Sequence, residues 1–156
     1  MLLEDLLSQP RGTKEEQVMT PKQVKLVQTT WAKIVPIEAH AATLFYNRLF
    51  TADPKLQSLF KRDMSEQKRK LMTMIGLAVN GLAHLDSLIP AVRDLGRRHA
   101  EYGVQSTDYN TVGSALLWTL EQGLGGEFTP EVKDSWIAAY TILATTMQQG
   151  AAVAAA

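Results

Sequence analysis

The residue best placed to do chemistry in this chain is His99, in the run Leu95-Gly96-Arg97-Arg98-His99-Ala100-Glu101-Tyr102-Gly103. The sequence contains three histidines and no cysteine. Thiolate metal sites, iron–sulfur clusters, disulfides and thiol nucleophiles are therefore excluded together. A lone histidine near a helix end is by itself often just a polar residue interacting with the helix dipole, but one imidazole facing an apolar pocket is enough to hold a haem iron. Residues upstream favour the second reading. Gln67 has Leu71 one helical turn after it, and Tyr46 and Phe60 precede both. Leu95 and His99 are four apart, as are Gln67 and Leu71. Each pair shares one helix face, so two helices can offer a polar group and a bulky aliphatic to opposite sides of a flat ring.

The other histidines are poor partners for the same iron. His84 follows Gln67 by 17 residues, about 25 Å along a helix, and His40 lies about 240° round a helix from Tyr46. Histidine ligation on the Gln67 side is not expected, and a neutral glutamine amide is a weak iron ligand. A ferrous site built this way keeps one open position.

The elements that must carry these residues are helices. Thr20-Pro21-Lys22-Gln23 supplies an N-cap, a proline at the first helical position and a capping-box glutamine, ahead of Val24, Val27, Trp31 and Ile34 at helical spacing. Pro36 breaks that helix, a second runs from Ile37 to Phe50, and Asp53-Pro54 turns into a short piece with Leu56, Leu59 and Phe60. Asp63 to Glu66 has capping-box spacing before the amphipathic run Gln67, Leu71, Met74, Ile75, Ala78 and Leu82. The spacing then predicts a short helix opening at Pro90 and stopped by Gly103, a helix capped by Ser106 or Thr107, and a last one starting at Thr129-Pro130-Glu131. No strand alternation or internal repeat occurs, so the fold class is all-α. Residues 1–19 read as an N-terminal extension and linker, 20–150 as one domain and 151–156 as an alanine-rich tail that frays or extends the last helix.

At 156 residues such a domain buries roughly two thirds of its unfolded surface without staples. Sixteen basic residues balance sixteen acidic ones, so no nucleic acid or anionic membrane is expected as partner. The leading Met1-Leu2-Leu3-Glu4-Asp5-Leu6-Leu7 has acids where an export signal needs bases. No apolar run reaches the roughly 20 residues of a membrane span, and a soluble, cytoplasmic protein is expected.

From Thr20 to Gln149 the sequence resembles the globins, most of all the single-domain bacterial globins of the flavohaemoglobin lineage, including the Hell's Gate type. The resemblance rests on Leu44 to Phe50, the Asp53-Pro54 corner, Leu59-Phe60, the run Gln67-Lys68-Arg69-Lys70-Leu71-Met72, Leu95 to His99, Tyr102-Gly103-Val104, and Trp136 with Tyr140. It implies a globin fold of about eight helices around haem b, with His99 the proximal iron ligand. It also implies that Phe60 stacks on the haem, that Tyr46 and Gln67 form the distal polar pair, and that Leu71 and Leu95 pack on opposite faces. Lys70, Val104 and Tyr109 complete the residues it places around the cofactor.

The expected function is reversible binding of O2 at a five-coordinate ferrous haem, as carrier, store or scavenger, with NO and CO as further ligands. A hydroxyl from Tyr46 and an amide N–H from Gln67 stabilise the negative charge that O2 acquires, and CO gains much less. The alternative is a nitric oxide dioxygenase, which needs an external reductase because no dinucleotide fingerprint occurs in the chain. One departure bears on the choice. Where the lineage polarises the proximal histidine with a tyrosine and a glutamate, Tyr109 matches the tyrosine but Ala151 falls at the glutamate position, which weakens the push of electron density on to iron. A monomer or weak homo-oligomer is expected.

Overall fold

The structure is a computed structural model that describes residues 19–60 and 63–155. Its first helix, α1 (Pro21–Ile34), begins where the sequence signals it should. Thr20 Oγ1 accepts from the Gln23 backbone N–H (3.1 Å), and Gln23 Oε1 accepts from the Thr20 N–H (3.0 Å). Two donors that a helix start leaves without intrahelical partners are thus satisfied reciprocally. A 3-10 turn at Val35–Ile37, containing Pro36, separates α1 from α2 (Glu38–Ala52). A second 3-10 segment, Pro54–Leu59, follows; Asp53 Oδ1 accepts from the Lys55 N–H (3.2 Å) and fixes the corner.

Helix α3 (Met64–Gly81) is capped by Asp63, whose carboxylate accepts from Ser65 N–H at 3.0 Å. The return half of the expected capping box is not seen among the described residues, because Glu66 reaches forward to Lys70 Nζ (3.3 Å). A 3-10 turn, Leu82–His84, leads to α4 (Leu85–Glu101), and then follow α5 (Asp108–Leu124), a 3-10 turn at Gly125–Glu127 and α6 (Pro130–Ala155). Two helix starts differ in detail from the sequence expectation. Pro90 does not open α4 but lies inside it; the missing N–H costs the helix one bond near its start, while packing against α6 holds both sides of the proline in one helix. Thr107 is the N-cap residue of α5 but makes no side-chain cap bond, while Asp108 Oδ2 accepts from the Gln105 N–H ahead of the helix at 2.8 Å.

Helix α4 lies along α6, α2 packs on α5, and α1 packs on α6. The α4/α6 approach is very close. A Cβ at Gly96 would sit 1.9 Å from the Met147 carbonyl oxygen, and one at Gly150 would sit 1.9 Å from that of Arg93. Between α3 and α4, by contrast, contacts are sparse. The larger core cluster joins Val27, Trp31 and Ile34 of α1 to Leu120 of α5 and Trp136 of α6. There the two tryptophan rings lie 6.2 Å apart, and Trp136 Nε1 donates to Thr30 Oγ1 at 2.9 Å.

The expectation that no apolar stretch is long enough to span a bilayer is not met. Within Met64–Glu101 an 18-residue window has mean hydropathy 1.4, enough by length and composition, and 17% of that window is buried. The period-based reading missed it because α3 carries large apolar side chains, Met74 and Leu77, on its exposed side as well. The backbone at His84 (φ −137°, ψ 61°) leaves the helical region and divides the stretch into α3 and α4.

Candidate functional site

His99 lies in the last turn of α4. Gly103, at φ 97°, ends that helix in the left-handed region where glycine carries no steric cost, and the Val104 N–H bonds back to the His99 carbonyl at 3.0 Å. This turn brings the end of α4 over the 3-10 segment, with Leu59 Cδ2 3.6 Å from where a Gly103 Cβ would stand. Leu59 precedes Phe60, so the sequence-distant ends of the site meet here.

His99 is partly buried, and its Nδ1 lies 2.8 Å from the Leu95 carbonyl oxygen. A carbonyl only accepts, so Nδ1 carries the hydrogen and the Nε2 lone pair remains available. Burial holds the imidazole pKa below its ordinary value, and the Arg98 charge adds to this, while the Leu95 bond opposes it. The ring is therefore a neutral donor at neutral pH. No group of three or more His, Cys, Asp or Glu residues that could hold a metal ion occurs among the described residues. A metal bound at His99 must bring most of its ligands with it, as a porphyrin iron does.

Tyr46 and Phe60 belong to a second apolar cluster. Tyr46 is buried in α2 and meets Phe60 edge-on with ring centroids 5.4 Å apart. Phe50, one turn after Tyr46, closes the group at 5.8 Å from Tyr46 and 5.4 Å from Phe60. Leu71 of α3 and Val112 of α5 pack on the same cluster. The Tyr46 hydroxyl makes no hydrogen bond among the described residues, where the sealed, unpartnered side-chain polar atom is Asn110 Oδ1 of α5. Burial pushes its pKa up to about 12, so it remains a hydrogen-bond donor through the neutral range.

Gln67 is partly buried one turn before Leu71, while Lys70 is exposed and paired with Glu66. Leu95 and Val104 are partly buried on the α4 side. Tyr109 is buried, its pKa raised by burial and by Asp108, and its backbone carbonyl accepts from the Tyr140 hydroxyl at 2.6 Å. It makes no hydrogen bond to His99 among the described residues, and Ala151 supplies no carboxylate; the Leu95 carbonyl is the partner His99 has. His40 and His84 are both exposed. Sequence reasoning assigned no role here to Phe50 or Asn110. The four-residue step from Tyr46 was a usable signal for Phe50, whereas nothing in the sequence distinguishes Asn110.

The chemistry of these residues fits a haem: apolar side chains at Phe60 and Leu71, one neutral imidazole with a free ring nitrogen, and a phenol donor with no partner among the described residues. They belong to an all-helical protein. The globin family signature matches residues 43–147, more than half of the sequence, and the chain belongs to the globin family. Globins are haem-binding proteins that take gaseous ligands. Among curated proteins it is similar to the neuroglobins of Chaenocephalus aceratus and Dissostichus mawsoni, each 28% identical over 146 residues covering 85% of this chain and 92% of the relative. Neuroglobin-1 of Oncorhynchus mykiss is 26% identical over the same coverage. These relatives support the globin family rather than the flavohaemoglobin lineage in particular.

Proposed function

We propose that the chain binds haem b between α3 and α4 through His99 and takes O2 reversibly, as a carrier, store or scavenger in the cytoplasm. The observation that carries this reading is the hydrogen bonding of His99, whose Nδ1 donates to a backbone carbonyl and to no carboxylate. Haem supplies a ferrous iron that can take O2, NO or CO. His99 anchors it with a neutral nitrogen of ordinary basicity, since a backbone acceptor polarises an imidazole less than a carboxylate does. Phe60 and Leu71 keep the opposite side apolar, and Tyr46 offers a protonated donor into it. Gln67, on α3 one turn from Leu71, adds an amide N–H. Tyr46 and Gln67 support a single-domain bacterial globin of the flavohaemoglobin type.

The same Tyr46 donor favours a second reading, nitric oxide dioxygenation with an external reductase, because a held O2 is also available to NO. One experiment separates the two. Under the first reading the oxygenated protein persists for many minutes, and NO converts it once to nitrate and ferric protein that stays ferric with nicotinamide cofactor alone. Sustained NO consumption with an added flavoprotein reductase, at rates matching two-domain flavohaemoglobins, would overturn the first reading.

A further inference from the structure

A groove of about 420 Å³ runs between α1 and α3, lined by residues to which the proposed haem function gives no role: Trp31 of α1, Val35 of the 3-10 turn after it, and Met72, Gly76 and Leu77 of α3. Gly76 lets the Trp31 ring lie against α3, since a Cβ there would be 3.4 Å from Nε1. At one edge Gln28 Nε2 donates to the Val79 carbonyl at 3.2 Å and pins the two helices together. Large apolar side chains stand open here: Leu77 is 61% exposed and Val35 45%. A cluster of open aliphatics around a groove marks an interaction surface rather than the scattered apolar residues normal on a protein exterior.

We propose that the occupant is this chain's own leading segment, Met1 to Leu7, laid into the groove by its leucines. Leu2 and Leu6, and Leu3 and Leu7, are each four apart, with Glu4 and Asp5 between them. In helical register the four leucines form one apolar stripe and the acids face away from it. The connection is long enough. Met19, 6% exposed, fixes the chain in the core cluster before α1. The eleven residues Ser8 to Val18 span up to about 36 to 40 Å at about 3.3 to 3.6 Å each. Gln28 to Val35 lie nine to sixteen positions along α1 from Met19, about 14 to 24 Å at 1.5 Å per residue. Tethering at this length gives an effective concentration in the millimolar range, which favours the segment over a second copy of the chain. Glu4 and Asp5 disfavour an anionic lipid surface.

The absence of cysteine from the chain makes the test clean. In the full haem-loaded chain, Leu6→Cys paired with Leu77→Cys is expected to form an intramolecular disulfide, at a rate unchanged by tenfold dilution. That rate should be at least tenfold faster than for Leu6→Cys with Thr29→Cys, an exposed α1 position outside the groove. Equal rates for the two pairs overturn the proposal, and so do disulfide-linked dimers, which would make a second copy the occupant. As a check that does not alter the groove, Leu3→Ser with Leu6→Ser should speed amide hydrogen exchange in Trp31 to Val35 and Met72 to Leu77 severalfold. Unchanged exchange there would also overturn it.

Discussion

At the scale of single residues, the proposed function gives His99 and Tyr46 separate roles. His99 has a free Nε2 because Leu95 takes the other ring hydrogen. His99→Ala is therefore expected to abolish stable haem uptake, or to leave haem that added imidazole rescues, whereas His40→Ala and His84→Ala leave the optical spectrum unchanged. A normal spectrum from His99→Ala without imidazole would contradict the assignment. Tyr46 lacks a protein partner among the described residues and stays protonated, so its O–H is available to a polar guest. Removing a hydrogen bond to a charged group costs about 1.5 to 3 kcal/mol. Tyr46→Phe should accordingly speed O2 dissociation by about ten- to a hundredfold, and Gln67→Leu by less, with CO dissociation little changed in stopped-flow displacement. The depressed His99 pKa also has a stability consequence. The unfolded chain binds this proton more readily than the folded one, so the contribution is present above the ordinary imidazole value of 6.5 and is lost as pH falls below it. In haem-free protein the urea midpoint should fall on acidification from pH 7.5, and His99→Leu should flatten that fall.

At the scale of elements, the position of α4 depends on how closely it lies against α6. Gly96 and Gly150 each face a backbone carbonyl of the other helix at a distance that no side chain tolerates. Helix backbone cannot yield as a flexible side chain can, so a methyl at either site must push the helices apart. Overpacking of this kind costs about 1 to 3 kcal/mol. Because Gly96 stands three residues before His99 on the same helix, Gly96→Ala should both lower the thermal midpoint and speed haem transfer to an acceptor apoglobin. A lowered midpoint with unchanged haem loss would show that α4 shifts without moving His99. The exposed ion pairs of α4, Arg97 with Asp94 and Glu101 at 2.9 and 2.7 Å, contribute little by comparison, since solvent screens them.

At the scale of the whole molecule, two apolar clusters serve different ends. The one around Trp31, Ile34, Leu120 and Trp136 ties α1, α5 and α6 together, and it contains the buried Trp136 to Thr30 hydrogen bond. The other, around Phe45, Tyr46, Leu49 and Leu56, packs against Phe60 and Leu71. Trp136→Phe keeps most of the apolar contact but leaves the buried Thr30 oxygen without its donor, at a cost of about 1 to 3 kcal/mol. Calorimetry should show a lower midpoint for this variant, with O2 dissociation unchanged because Trp136 lies in the other cluster. A change in O2 kinetics would mean that the two clusters are coupled.

Local chemistry was legible in the sequence wherever a few neighbouring residues decide the outcome. The capping box at Thr20, the helix stop at Gly103 and the face shared by Leu95 and His99 are all settled within one or two turns. The all-α class followed from the same short-range periodicity. Where tertiary contacts compete with local preference, the reading failed: α4 passes through Pro90, packed along its length on α6. The sequence by itself determined which residues could form a haem site, since His99 is the one histidine with the right companions. Only the tertiary structure decided which hydrogen bond His99 makes, that Phe50 joins Tyr46 and Phe60, and that Met74 and Leu77 stay open to solvent. Those outcomes depend on how helices distant in sequence are packed, and residue spacing carries no information about the gap left between them.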